Sequence, residues 1–151
     1  MNYDEVFTQL KKFLESKPAS THAISKLSAG EEIQLIVDDH LNLALFNKAG
    51  QPLLEQRLAN KPNVEFKLST EAVRTLLAQP GDNMADFGIA VVKQIVEGEV
   101  KIRICGSVLA VLRKGYLKII LEAGPDFTKY LASRGLKGAG KITSLIKGLK
   151  G

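Results

Sequence analysis

The period of the apolar residues changes along this chain, and that change constrains the fold more than any other feature. Val6, Phe7, Leu10, Phe13 and Leu14 fall on one helical face, with Lys11, Lys12 and Glu15 outside it. Ile33, Leu35 and Val37 then alternate with Gln34 and Ile36. Leu41, Leu43 and Leu45 alternate again after the turn cluster Asp38-Asp39-His40. A period of two sends successive side chains to opposite faces, so these two runs predict a β-hairpin. After a polar stretch through Pro62, Val64, Phe66 and Leu68 alternate with Glu65 and Lys67, a third strand with one solvated face.

The helical period then returns. Asp4 is placed to cap the first helix and Pro18 to end it, and residues 19–30 read as a connection. Thr70 is placed to cap a helix bearing Val73, Leu76 and Leu77, which Pro80-Gly81 stops. Asp82 opens a further helix with Met84, Phe87, Val91, Val92 and Ile95 on one face. Ile89 and Val96 widen its apolar arc, so it is predicted to be covered on more than one side. Gly98 is a natural C′ residue. Val100, Ile102 and Ile104 then alternate in a fourth strand that Gly106 breaks.

Residues 107–113 read as a helix, and residues 116–121 fit either helix or strand. A short helix carries Phe127, Tyr130 and Leu131 up to Gly135. Strands in a row, flanked by helices, predict an α+β domain. A length of 151 residues limits the chain to one such domain.

Charge is distributed unevenly. The chain carries 21 Lys/Arg and 16 Asp/Glu. Six of the bases (Lys129, Arg134, Lys137, Lys141, Lys147, Lys150) fall in residues 127–151 with no acid, leaving 15 bases against 16 acids elsewhere. Ile142, Leu145, Ile146 and Leu149 form a helical stripe within that basic stretch. The division expected is a body over residues 1–135 and a basic amphipathic C-terminal helix over 136–151. Such a helix either docks its stripe on the domain or lies on an anionic membrane surface through Lys137, Lys141, Lys147 and Lys150. Nucleic acid is not an expected partner, because the basic stretch offers only Phe127 and Tyr130 for base stacking.

No stretch reaches the ~20 apolar residues of a membrane span. One cysteine excludes a disulfide scaffold, and the absence of a secretory leader leads us to expect a cytoplasmic protein.

Catalytic and metal chemistry find little support. His22 and His40 read as surface histidines with no ligand spacing around them, so no metal and no cofactor is expected. Cys105 is predicted to be a buried free thiol without a neighbouring histidine. The pairs Glu31-Glu32 and Asp38-Asp39 read as solvated residues at strand ends. Gly135 to Lys141 matches the Gly and Lys positions of a phosphate loop, but Ile142 stands where the magnesium-holding Ser or Thr is required. No enzymatic activity is expected.

The segment Val64-Glu-Phe-Lys-Leu-Ser-Thr70 runs straight from a strand into the helix Glu71 to Leu77. A second apolar helix follows, from Met84 to Val96. Then come Gly98-Glu-Val-Lys-Ile-Arg-Ile-Cys-Gly106 and Ser-Val-Leu-Ala-Val-Leu112. In this order the chain resembles the sterol carrier protein type-two domain family over roughly residues 5–115. The resemblance implies a mixed, mainly antiparallel sheet covered on one face by helices, with an apolar tunnel between the layers. It also implies non-enzymatic binding and carriage of a fatty acyl lipid, a sterol-like molecule or an isoprenoid. Some bacterial relatives serve isoprenoid-quinone biosynthesis as accessory lipid binders.

An apolar-ligand site needs converging hydrophobic side chains with few polar groups. The candidates are Phe66, Met84, Phe87, Val91, Ile95, Ile104, Val108, Leu112 and Tyr116, the last with one polar tip. The other reading is that these residues fill the core and the domain is an interaction adaptor or accessory factor of a lipid or quinone biosynthetic complex.

Overall fold

A computed structural model describes residues 2–133; the side chains of Val108 and Leu112 lie outside the described set. Twelve elements follow in order. They are α1 (Tyr3–Ser16), α2 (Pro18–Ile24), β1 (Glu32–Val37), β2 (Leu41–Lys48), β3 (Gln51–Glu55), β4 (Val64–Leu68), α3 (Thr70–Leu77), α4 (Met84–Val96), β5 (Val100–Ile104), α5 (Val108–Arg113), α6 (Tyr116–Glu122) and α7 (Pro125–Ser133). The sheet runs β3-β2-β1-β4-β5. β1 pairs antiparallel with β2, β2 with β3 and β4 with β5, while β1 and β4 are parallel. The fold is α+β with a mixed, mainly antiparallel sheet.

Register places the apolar residues of the five strands on a common face. Ile33 is opposite Leu45 and Val64, Leu45 is opposite Leu54, and Val64 is opposite Ile104. The core formed on that face has two parts. The first joins Val6, Leu10, Phe13 and Leu14 of α1 and Val73 of α3 to β1, β2 and Leu54. The second joins Val64 and Ile104 to Met84, Val111, Ala123 and Phe127 of the later helices.

The other face is crossed by residues 56–63, because the chain must pass from the β3 edge over β2 and β1 to reach β4. Arg57 anchors the crossing. Its guanidinium donates to both Glu32 oxygens (2.7 and 3.0 Å) and to Glu55 (2.7 Å). This fork holds the Glu32 carboxyl below the usual carboxylate range, against the opposing effect of burial. The Ala59 N–H donates to Gln34 Oε1 at 2.7 Å, while the Gln34 amide donates to the carbonyls of Leu35 and Leu43. The buried Gln34 side chain is thereby satisfied.

Several local expectations are corrected. Gln51–Glu55 is a strand, not part of a polar connection, so the sheet has five strands and not four. Its Pro52 fits because β3 is an edge strand. Pro18 starts α2 as well as following α1, since a first-turn residue needs no N–H. The caps are displaced by one or two residues from those expected, upstream to Asn2 for α1 and Ser69 for α3 and downstream to Asn83 for α4; each accepts from the backbone N–H three residues on. Residues 116–121 are helical. Asp38 and Asp39 adopt positive φ (53° and 56°) as the central pair of a turn closed by the His40 N–H donating to the Val37 carbonyl at 3.0 Å, within a three-residue connection between β1 and β2.

Candidate functional site

The nine candidate residues lie on β4, α4, β5, α5 and α6. Phe66 and Tyr116 each pack against both core clusters. Met84 and Ile104 are buried in the second cluster. Phe87 packs on the first, its ring 5.5 Å from that of Phe13. Val91 and Ile95 are half-buried and belong to neither cluster among the described residues. Val108 and Leu112 lie on α5, with side chains outside the described set.

α4 does not match its predicted burial. It touches α2, α3, α7 and β5, yet Met84 and Gln94 are its only buried residues. Phe87, Ile89, Val91, Val92 and Ile95 remain half-buried, and Val96 is 59% exposed. α6 has no buried residue, although Leu117, Ile119 and Ile120 pack on the second cluster.

A polar group closes the end of this layer. Glu31 is 5% exposed, which corrects the expectation of a solvated pair. Asn63 Nδ2 donates to both its oxygens (2.9 and 3.3 Å). The Tyr116 hydroxyl is buried beside the Glu31 carboxylate, and among the described residues it makes no well-aligned hydrogen bond. Burial first, then the Glu31 charge, holds the Tyr116 phenol far above its usual range.

Two close approaches fix this arrangement. At Gly106 a methyl group would lie 2.2 Å from Asn63 Oδ1. Gly115, at φ +104°, brings the chain so near that a methyl would lie 2.0 Å from the Lys26 carbonyl oxygen. At Gly115 both the positive φ and the backbone contact require glycine, while at Gly106 the contact is with the end of the Asn63 side chain. The Cys105 N–H donates to the Asn63 carbonyl (2.8 Å) and the Ser28 N–H to the Lys114 carbonyl (2.9 Å).

Cys105 itself is exposed, because it follows β5 on the solvated side, and it is not the buried thiol expected. His22 meets Glu122 at 3.4 Å and His40 stacks on Tyr3 at 4.5 Å; both histidines are exposed. Among the described residues no group of three or more His, Cys, Asp or Glu is placed to hold a metal ion. Lys137, Lys141, Lys147 and Lys150 lie outside the described residues, as does the proposed helix over 136–151.

Two concavities open on the helical side. One of about 470 Å³ is lined by Pro18, His22, Met84, Ala85, Ala123 and the acids Asp82, Asp86, Glu122 and Asp126, with Asn83. The other, about 370 Å³, lies between α3 and α4. Of the nine candidate residues only Met84 lines either. The apolar tunnel is not among these two open, half-polar spaces.

Sequence reasoning missed Glu31 and Asn63. The signal for Glu31 was present: alternation continued backward from Ile33 and Leu35 puts Glu31, not Glu32, on the helical side.

No protein-family model and no curated protein matches the chain. Among solved structures it is similar to a UbiJ-SCP2 ubiquinone synthesis protein. The identity is 17%, the match covers 80% of this chain and 94% of that one, and the TM-score is 0.46. It is also similar to a double mutant of a sec-alkyl sulfatase at 17% identity, over 60% of this chain and 14% of that one, with a TM-score of 0.37. No helix among the described residues is long and apolar enough to cross a membrane.

Proposed function

We propose that this domain binds a hydrophobic small molecule between the α4–α6 layer and the β4–β5 end of the sheet, and carries it without chemically changing it. The observation that carries this reading is α4. Five of its apolar side chains, Phe87, Ile89, Val91, Val92 and Ile95, stay half-buried beside two separate core clusters. Fully burying such a side chain is worth about 1.5–3 kcal/mol, so covering what these five still expose, about a third each at most, supplies no more than about 2.5–5 kcal/mol toward binding. Part of that is lost to ordering the complex. The sequence patterns that resemble sterol-carrier domains support the same reading. The basic segment 136–151 then brings the domain to anionic lipid, and the setting is the cytoplasm.

Native mass spectrometry of the purified protein, followed by denaturing lipid extraction, tests the proposal. The expected result is a retained acyl lipid or isoprenoid at near-unit stoichiometry. A ligand-free mass, with no rise in melting temperature on adding fatty acid or quinone, overturns it, because a ligand that binds only the folded state must stabilise it.

A second reading has its own support. Val96, Leu109 and Leu121 are 59, 55 and 58% exposed on α4, α5 and α6. Such side chains on neighbouring helices suit a protein partner as well as a lipid. A ligand-free mass with retained association to a biosynthetic complex favours this adaptor role.

A further inference from the structure

The hairpin of α5 and α6 has an outer side that the described residues leave open. The two helices pack on each other. Both turn an inner side to the second core cluster, α5 through Val111 and α6 through Leu117 and Ile120. Their elbow is fixed to the body: the Lys114 carbonyl accepts the Ser28 N–H at 2.9 Å, and Gly115 lies against the Lys26 backbone. The hairpin therefore offers solvent a side, not a tip. At about 3.6 residues per turn, Leu109 lies roughly 160° round α5 from the buried Val111, and Arg113 follows one turn on. Leu109 and, on α6, Leu121 are each more than half exposed. The bases Arg113, Lys114 and Lys118 are exposed too, and none has an acidic partner among the described residues. The one acid of residues 107–122, Glu122, already meets His22 and Lys26.

We propose that this outer side of the hairpin docks on an anionic bilayer, with Leu109 and Leu121 entering the boundary between headgroups and acyl chains while Arg113 and Lys118 meet lipid phosphates. Exposed apolar side chains beside bases are what an interfacial helix uses to bind such a surface. The charge selects the occupant. Unpaired bases with no free acid among them match a sheet of negative headgroups. The role of this surface in delivery rests on the carrier reading above; the docking itself does not.

The chain has no tryptophan, so Leu121→Trp places a single reporter on this surface. Leu58→Trp places one on the crossing over the opposite face of the sheet, where Leu58 is also exposed. Each full-length variant is mixed with vesicles of equimolar phosphatidylglycerol and phosphatidylcholine. The expected result is a blue shift of the Leu121→Trp emission and its quenching by brominated acyl chains, with Leu58→Trp unchanged. Arg113→Gln combined with Lys118→Gln weakens binding about five-fold per charge, and high salt shrinks that loss. Leu109→Ser combined with Leu121→Ser weakens it about ten-fold at any salt. An unchanged urea midpoint shows that the serine pair folds; if it does not fold, the glutamine pair and the tryptophan reporters decide. Equal shifts at Leu58 and Leu121, or full affinity in both double variants, overturns the proposal and leaves residues 136–151 as the membrane contact. So does self-association of the parent that the serine pair abolishes while vesicle binding stays unchanged, which makes the surface a protein interface. Hairpin-dependent vesicle binding by a protein with a ligand-free native mass upholds the surface and counts against the carrier reading alone.

Discussion

The Asp38 carboxylate accepts the Thr70 backbone N–H at 2.9 Å and also the Thr70 hydroxyl, so the tip of the β1–β2 hairpin caps the start of α3 from across the fold. Tyr3 adds a weaker contact from α1 at 3.4 Å. The Thr70 hydroxyl is the main reason that the Asp38 carboxyl lies below its usual range, with burial opposing it. A depressed carboxyl stabilises the fold above its unfolded pKa of ~3.9, and that stability is lost as pH falls through the lower folded value. Asp38→Asn tolerates the positive φ and removes only the charge. Urea unfolding is expected to show it less stable than the parent by about 0.5–1 kcal/mol at pH 7, the low end for an exposed cap. The gap should close near pH 3; a gap independent of pH argues against a charge effect.

Met84 and Val91 separate core from site. Met84 is buried in the second cluster, so Met84→Ala is expected to cost about 2–5 kcal/mol in chemical denaturation. Val91 is half-buried in neither cluster. Val91→Ala should cost under ~1 kcal/mol while weakening binding of the apolar probe severalfold. Equal stability losses at the two positions place Val91 in the core and remove it from the site.

Gly106→Ala pushes a methyl group into Asn63, the donor that steadies Glu31. Leaving a buried acceptor short of its donor costs about 1–3 kcal/mol. The expected outcome is a lower urea midpoint with unchanged m-value, partly restored by Gly106→Ala combined with Glu31→Gln. No change in midpoint means that Asn63 adapts and Glu31 does not depend on it.

Truncation after Gly135 removes Lys137, Lys141, Lys147 and Lys150 together with the apolar stripe. Vesicle co-sedimentation should show weaker binding to anionic phospholipid, by about 1 kcal/mol for each lysine that reaches the surface. Raising salt should shrink the difference. Unchanged sedimentation takes the tail out of the delivery step.

How much of this was legible follows from what each residue answers to. The hairpin, β4, β5 and the long helices were readable because one face of each meets the core, and burial enforces a period. β3 was not, because a five-residue edge strand buries only Pro52 and Leu54, and proline is a poor strand signal. α2 was hidden because Pro18 signals an end and a beginning equally well. Glu31 looked solvated because adjacent acids usually are, although the alternation pointed inward. Cys105 looked buried by residue type, but it sits one step past Ile104 and inherits the opposite face. In the site, the apolar residues of α4 were readable from spacing, while their incomplete burial depends on how several later helices pack and leaves no local trace.

The parallel pairing of β1 with β4 has a consequence for how the chain acquires its shape. Each partner pair, such as Ile33 with Val64, is 31 residues apart, whereas β1, β2 and β3 pair through short turns. The three-stranded meander therefore forms from local contacts first, and the join to β4 comes later. Until residues 64–68 have left the ribosome, the inner edge of β1 offers unpaired backbone beside Ile33, Leu35 and Val37. That half-built sheet is the species most open to wrong partners, and the stage at which a chaperone has most to protect.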